Sequence, residues 1–199
     1  MTFLAHLASW RFKIAVIKPY KPTKEEIAAA VGKTVPDLMG PGLKVLFCGI
    51  NPGLYSGAVA HHFARPGNRF WPALHAAGFT DRILSPFEER ELLKLGYGIT
   101  NIVARATAQA DEIGAEELRA GAQDLERKVR ELRPGALAVL GIDAFRKAFR
   151  RPGASVGKQP ERIENTLLWV LPNPSGINAS YQLADLVRLF AELRGATAL

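Results

Sequence analysis

The chain has 199 residues, 48% of them hydrophobic, which fits one α/β domain with a short extension. It contains no apolar run of the roughly 18 residues that a membrane span needs, and its N-terminal stretch lacks the pattern of a signal peptide. The net charge of +7 favours a polyanionic partner. The single cysteine, Cys48, excludes an intramolecular disulfide and an all-cysteine metal site. It fits a buried thiol in a reducing cytoplasm.

The first 42 residues are predicted to form a basic N-terminal extension that is only partly helical. They contain six Lys or Arg against three Asp or Glu, and prolines at positions 19, 22, 36 and 41 interrupt them. A helix is predicted only over 23–31, with Thr23 as its N-cap and Glu26 three residues later, the pattern of a capping box. Residues 43–199 are predicted to form the functional domain.

In that domain apolar strands alternate with helices. Strands are predicted over 44–50, 98–103, 136–141 and 167–172, and helices over 68–77, 88–95, 115–132, 142–149 and 180–193. Continuous apolar strands separated by helices indicate a mainly parallel, four-stranded sheet that is covered on both faces. In such a sheet the ligand lies beyond the carboxyl ends of the strands, so the segments that follow the strands are candidates for the site.

The first strand runs into the segment GINPG (49–53). Gly49 and Gly53 permit a tight turn and a close approach of the backbone to a ligand. Asn51 offers a carboxamide that can hold a water and the polar edge of a ligand. The segment matches neither a Walker loop nor GxGxxG, which disfavours a dinucleotide site. The alternative is a simple turn in which Asn51 caps its own backbone.

The segment HHFARPGNRFW (61–71) combines aromatic rings with potential hydrogen-bond donors. A flipped nucleobase needs a flat apolar face to stack on, and Phe63 could supply it. The two histidines lack a cysteine or nearby carboxylates, so they are poor candidates for metal ligands. Phe70 and Trp71 begin a helix and are predicted to belong to the core.

The last predicted strand runs into LPNPSGIN (171–178), where two prolines and a glycine indicate a stiff loop. Ile177 lies near its tip. A rigid apolar side chain in that position is what a protein needs to hold a base stack open. The alternative is that Ile177 folds back into the core.

Taken in this order, the motifs resemble the mismatch-specific uracil/thymine-DNA glycosylase family. The residues that carry the resemblance are GINPG, HHF-x-x-PGNRFW, GITNIV-x-R and NPSG, and it spans roughly residues 36–193. It implies a three-layer α/β/α sandwich around a short parallel sheet. It also implies a monomeric, monofunctional enzyme that needs no cofactor or metal and hydrolyses the N-glycosidic bond of uracil in mismatched double-stranded DNA, with thymine or modified pyrimidines as further substrates in some members.

The resemblance also assigns roles to individual residues. Asn51 matches the residue that positions the hydrolytic water, and Phe63 the aromatic that stacks on the flipped base. Asn101 matches a position that can contact the pyrimidine edge in the thymine-acting branch. Gly49 and Ile50 complete the predicted base-binding set, and the loop that enters the DNA helix consists of Asn173, Pro174, Ser175, Gly176 and Ile177. We call Ile177 the wedge and residues 173–177 the wedge loop. In some relatives an arginine just after the wedge contacts the guanine that has lost its partner, whereas Ala179 and Ser180 follow Asn178 here.

A carboxylate is a second candidate catalytic group. Asp111 lies in RATAQADEIG, after the second strand and on the side where the ligand is expected. It could polarise the water or stabilise the cationic sugar. The alternative is an N-cap or surface role.

Two rival functions are compatible with parts of this pattern. A catalytically silent DNA-binding module would use the wedge loop and the basic extension but would need no water-positioning amide at Asn51. A small-molecule nucleotide enzyme would show no exposed wedge and no preference for duplex DNA.

For the glycosylase we expect a cytoplasmic location, at the nucleoid if the source is a bacterium.

Overall fold

The structure is a computed structural model that describes residues 20–197. Its centre is a sheet in the order β2-β1-β3-β5-β4. The strands are β1 (Val45–Gly49), β2 (Tyr97–Asn101), β3 (Ala136–Leu140), β4 (Gly157–Ile163) and β5 (Thr166–Leu171). The four predicted strands are parallel to one another, as expected from their continuous apolar sequences, and all four lie side by side.

The fifth strand, β4, corrects the prediction of four. It pairs with β5 in the antiparallel sense and forms the edge of the sheet. Its sequence GKQPERI is polar because one face is exposed, and only Gln159 and Ile163 are buried. Pro160 lies near an irregularity in the pairing, a position that a proline tolerates only at a sheet edge or a bulge. The missing apolar run explains why the segment resembles a loop in the sequence.

Seven α-helices cover the sheet within residues 20–197. They are α1 (Lys24–Ala28), α2 (Leu54–Val59), α3 (Phe70–Ala76), α4 (Glu91–Lys94), α5 (Ala115–Leu132), α6 (Ile142–Ala148) and α7 (Leu183–Thr197). The capping box predicted at Thr23 and Glu26 is present. Helix α2 was not predicted; it contains Gly57, where a Cβ atom would lie 2.8 Å from the Cβ of Ala106. The glycine that lowers helix propensity is therefore required for packing.

The core lies in two layers, one on each face of the sheet. Phe47, Phe70, Phe79, Leu171 and Phe190 belong to one cluster, on the side of α3 and α7. The other cluster, on the side of α5 and α6, contains Leu46, Cys48, Leu125, Val139 and Phe145. Alternate residues of β1 thus enter opposite layers, which confirms the α/β/α sandwich. Phe70 and Trp71 are buried, as predicted.

Cys48 is a structural thiol. It is fully buried, and burial raises the pKa of its thiol, so the reactive thiolate is disfavoured. No helix among residues 20–197 is long and apolar enough to cross a membrane.

The segment that precedes β1 closes the free edge of β2. Backbone hydrogen bonds join Leu38 and Ile99 in both directions, and an isolated bridge joins Thr34 to Arg105. Asp37 accepts hydrogen bonds from Thr100 Oγ1 at 2.6 Å and from Lys128 Nζ at 2.9 Å. Residues 34–38 are therefore fixed on the domain, whereas residues 1–19 of the predicted extension lie outside the described residues.

Candidate active site

The carboxyl ends of the parallel strands open into a cleft with a volume of about 640 Å³. The residues predicted from sequence that line it are Gly49, Ile50, Asn51, Phe63, Asn101, Asp111, Asn173, Ser175 and Ile177. Pro174 and Gly176 belong to the same loop but face the turn before α3 instead: Pro174 O accepts a hydrogen bond from Arg69 N, and Gly176 lies against Gly67. Segments that are far apart in sequence thus meet where the topology of the sheet predicts.

The Asn51 carboxamide is held in one orientation by three acceptors. Its Nδ2 donates to Pro52 O at 3.0 Å, to Arg105 O at 3.2 Å and to Thr107 Oγ1 at 2.7 Å. Two of these partners are carbonyl oxygens, which only accept, so the amide nitrogen must face them. The Thr107 hydroxyl donates in turn to Gln109 O at 2.6 Å, which leaves its oxygen to accept from Asn51.

This arrangement leaves Asn51 Oδ1 as the free acceptor of the amide. Within residues 20–197 no protein group donates a hydrogen bond to it, and Asn51 lines the cleft. A carbonyl oxygen in a fixed position can hold a water molecule by one of its protons and direct a lone pair of that water into the cleft. Thr107, which is 1% exposed, was missed in the sequence because a single threonine in a polar loop gives no signal.

A flat apolar surface lies in the same cleft as Asn51. The Phe63 ring stacks on Phe70, with ring centres 4.2 Å apart and planes inclined by 24°. Phe63 has a φ of 50°, in the left-handed region that non-glycine residues seldom adopt. Gly49 permits this approach, because a Cβ atom there would lie 3.4 Å from Phe63 Cζ and would overlap Asn101 Oδ1.

The strained turn before Phe63 is held by a buried carboxylate. Glu89 is 7% exposed and accepts hydrogen bonds from the backbone N–H of His62 and from His61 Nδ1, both at 2.9 Å. These bonds offset the cost of the left-handed backbone. The sequence placed Glu89 in a helix, where a solvated acid is the usual interpretation, so its role was missed.

His62 orients the amide of Asn101. Pro36 O lies 3.0 Å from His62 Nε2 and can only accept, so Nε2 carries the proton. The other ring nitrogen, Nδ1, then accepts from Asn101 Nδ2 at 3.4 Å. Burial lowers the pKa of His62, which favours this neutral ring. Asn101 Oδ1 is consequently turned towards Gly49 and the cleft as a hydrogen-bond acceptor.

The loop after β5 presents an exposed apolar tip. Ile177 is 80% exposed, so the alternative that it folds back into the core is wrong. Its loop is stiffened from within, because Ser175 N donates to Asn173 Oδ1 and Asn178 Nδ2 donates to Asn173 O, each at 3.0 Å. Entry of Ile177 into a DNA helix stays a prediction.

Asp111 lies in the cleft wall but makes no direct link to Asn51. It is exposed in a 3-10 turn, Ala110–Glu112, whose N-cap is Gln109, so the proposed N-cap role for Asp111 is not what the structure has. Its part in catalysis stays a prediction. Among residues 20–197, no group of three or more His, Cys, Asp or Glu side chains is arranged to hold a metal ion.

One comparison with known proteins decides the family. The model of the uracil DNA glycosylase superfamily matches residues 36–194, which is most of the chain. The chain belongs to the uracil DNA glycosylase superfamily. It is therefore a DNA N-glycosylase, and its substrate is DNA. The match begins at Pro36, the residue whose carbonyl fixes the ring of His62.

The neutral form of His62 should give base excision an acid limit. A protonated Nδ1 cannot accept from Asn101, and the lowered pKa means that this loss occurs only at pH values below the ordinary pKa of about 6.5. We expect excision to fall in that range in the wild type. Glutamine can keep both hydrogen bonds without titrating. His62→Gln should therefore shift or abolish the acid limb, which is the fall in the single-turnover rate at low pH.

His61→Gln is the matched control for this experiment, because His61 bonds to Glu89 and not to Asn101. It should leave the acid limb in place. If His61→Gln removed the limb and His62→Gln did not, the titrating group would not be His62.

Asp111→Asn tests the second candidate catalytic group. If the carboxylate stabilises the cationic sugar, the excision rate at saturating enzyme should fall about tenfold, which corresponds to a loss of roughly 1.4 kcal/mol of transition-state stabilisation. DNA affinity should stay the same or rise, since a negative charge near phosphates is removed. A wild-type rate would return Asp111 to a surface role.

Proposed function

We propose that this DNA glycosylase is a monomer that removes uracil from G:U mismatches in double-stranded DNA and leaves an abasic site in an unbroken strand. The observation that carries the proposal is the fixed Asn51 amide, whose free oxygen lies in the same cleft as Phe63 and Asn101. A protein that only bound DNA would need no amide held by three acceptors. The motif resemblance points to the mismatch-specific family within the superfamily.

The reaction breaks the bond between the base and the deoxyribose. Positive charge develops on the sugar and negative charge on the leaving base, so a weakly activated water can complete the hydrolysis. Asn51 is neutral and cannot act as a strong base. Its contribution is to hold the water in line with the sugar, which removes orientational freedom before the reaction starts. Such a reaction is slow, and its rate depends on how well the base leaves.

Base selection follows from the acceptor on Asn101. Uracil carries an N3–H that can donate to Asn101 Oδ1, whereas cytosine has an unprotonated N3 at that position and would repel it. Phe63 provides the face on which the base stacks. Thymine shares the donor of uracil, so thymine opposite guanine fits the same polar contact.

Arg65 lies at the cleft wall, where its side chain is exposed and available to DNA phosphates.

We expect Ile177→Ala to slow excision of a paired uracil more than excision of an unpaired one. The side chain fills the gap that the flipped nucleotide leaves, and burial of such a side chain is worth about 1.5–3 kcal/mol. Truncation should therefore slow excision from a G:U pair about tenfold. Uracil opposite an abasic site needs little such help and should be processed almost normally, as measured by single-turnover rates.

Ile83→Ala is the matched control, because Ile83 is also exposed, at 57%, and does not line the cleft. It should process both substrates at the wild-type rate. Equal losses on the two substrates in Ile177→Ala would count against a wedge.

The proposed function is tested by comparing G:U, A:U and undamaged G:C duplexes, each with and without EDTA, and cleaving abasic sites with alkali afterwards. We expect product from G:U in both conditions, less from A:U and none from G:C. Binding of G:U DNA without any abasic product would favour the silent binding module. Loss of product in EDTA that zinc restored would overturn the metal-free reaction.

A further inference from the structure

Arg69 ties the wedge loop to the base-binding side of the cleft. Its Nη1 donates to Tyr181 O at 2.6 Å, and its Nη2 donates to Asn178 O at 2.9 Å and to Ser175 O. The three carbonyl groups come from a stretch of seven residues that surrounds Ile177. One guanidinium thus gathers the backbone on both sides of the exposed tip.

Two backbone contacts strengthen the same connection. Arg69 N donates to Pro174 O at 2.9 Å. Gly176 packs so closely on the turn before α3 that a Cβ atom there would lie 2.6 Å from Gly67 O. The loop is therefore held to this turn through its main chain, and the side chain of Ile177 remains free.

The same turn also carries the stacking surface for the base. Phe70 directly follows Arg69 and supports the Phe63 ring. The wedge loop and the stacking ring are consequently attached to two consecutive residues, Arg69 and Phe70. A loop that is ordered before it meets DNA loses less entropy on binding than one that must be ordered there.

We propose that Arg69 is a positioning residue that holds the wedge loop ready to enter the helix, and that it promotes base flipping and not bond cleavage. This inference rests on the proposed function. The guanidinium is suited to the task because its planar fork points several donors towards separate acceptors, whereas a lysine ammonium is a single point of charge. The three converging carbonyl groups also present partial negative charges that the cation offsets.

Arg69→Lys tests the proposal while keeping the net charge that attracts DNA. We expect the single-turnover rate on a G:U pair to fall about tenfold, in line with the loss of hydrogen bonds to a charged group. The rate on uracil opposite an abasic site should change by less than about twofold, because an unpaired base needs little help to flip. Amide hydrogen exchange over residues 174–181 should become faster in the absence of DNA.

Arg146→Lys is the matched control. Arg146 is also half-buried and also holds a loop by its guanidinium, through two hydrogen bonds to Ala154 O at 2.8 and 3.0 Å. None of residues 150–156 in this loop lines the cleft. The control should keep the wild-type ratio of rates on paired and unpaired uracil. A variant that merely lost folded protein would lower both rates equally and leave that ratio unchanged.

Gly176→Ala disturbs the adjoining contact between the loop and Gly67, and it keeps the proposal testable if Arg69→Lys folds poorly. It should show the same selective loss on paired uracil. Wild-type ratios of paired to unpaired rates in the folded variants would overturn the role of Arg69. A wild-type protein that released no uracil from either substrate would instead overturn the proposed function, so the two failures are distinguishable.

Discussion

Asn51→Ala should lower the single-turnover rate of uracil excision by a factor on the order of 10² to 10³ and leave DNA affinity nearly unchanged. The expected loss corresponds to about 3 kcal/mol, the typical effect of removing one fixed hydrogen-bonding group from a transition state. Asn51 lines the cleft and does not belong to the loop that carries Ile177, so the variant should still bind, bend and flip the DNA. Excision at saturating enzyme and fluorescence anisotropy with the same duplex measure the two quantities.

Asn165→Ala is the control for this substitution, because Asn165 is exposed in the turn between β4 and β5, away from the cleft. It should behave as the wild type in both measurements. If Asn51→Ala excised uracil at a rate close to that of the wild type, Asn51 would be only a residue of the turn. Thermal unfolding of both variants should be measured as well, to show that a lower rate is not caused by a loss of folded protein.

Thr107→Val should have the second largest effect. Valine preserves the shape of the side chain but removes the hydroxyl that accepts from Asn51 Nδ2 and donates to Gln109 O. Loss of one partner in a buried hydrogen-bond chain costs on the order of 2 kcal/mol, which corresponds to roughly thirtyfold in rate if the cost appears in the transition state. The reason is that the amide of Asn51 loses its shortest hydrogen bond and keeps only those to Pro52 O and Arg105 O, so its oxygen fixes the water less firmly.

Thr107→Ser distinguishes a positioning role from a packing role. Serine keeps the hydroxyl and loses a methyl group, so it should restore most of the excision rate if the hydrogen bond matters. The Michaelis constant should change little in either variant, since the turnover number carries the effect. A wild-type rate in the valine variant together with a lower rate in the serine variant would show that Thr107 acts only by filling space.

The parallel part of the fold could be predicted from the sequence because its strands are buried on both faces. Strands β1, β3 and β5 are short apolar runs, and β2 is buried although it ends in two polar residues. Helix α5 has an apolar stripe of helical spacing, with the same bounds in the prediction and the structure. Strand β4 could not be predicted, since only one face is buried and its polar residues resemble those of a loop.

The candidate site was predicted only in part, and the omitted residues share one property. Asn51, Phe63 and Asn101 lie in motifs that carry a resemblance, so they could be named. Thr107 and Glu89 each act by hydrogen bonds to a residue distant in sequence. No local pattern encodes such contacts, because they depend on which loops the sheet brings together.

The opposite-strand contact illustrates the same limit. The sequence lacks an arginine directly after the wedge, and Asn178 uses its side chain within the loop, where Nδ2 donates to Asn173 O and Oδ1 accepts from Ser180 N. An arginine is nevertheless attached to the loop from elsewhere in the chain: Arg69 approaches from the turn before α3. Its Nη1 and Nη2 groups donate to backbone carbonyl groups of the loop, so its role differs from that of a group that contacts guanine.

The most direct test of hydrolytic base excision is to incubate the full chain with a G:U duplex and measure free uracil and strand integrity in one sample. Chromatography should show uracil released in equal amount to abasic sites, and the strand should stay unbroken until alkali is added. The Asn51→Ala variant should bind the same duplex and release uracil far more slowly. DNA binding by the wild type with no free uracil, or strand breakage that precedes alkali, would contradict the account.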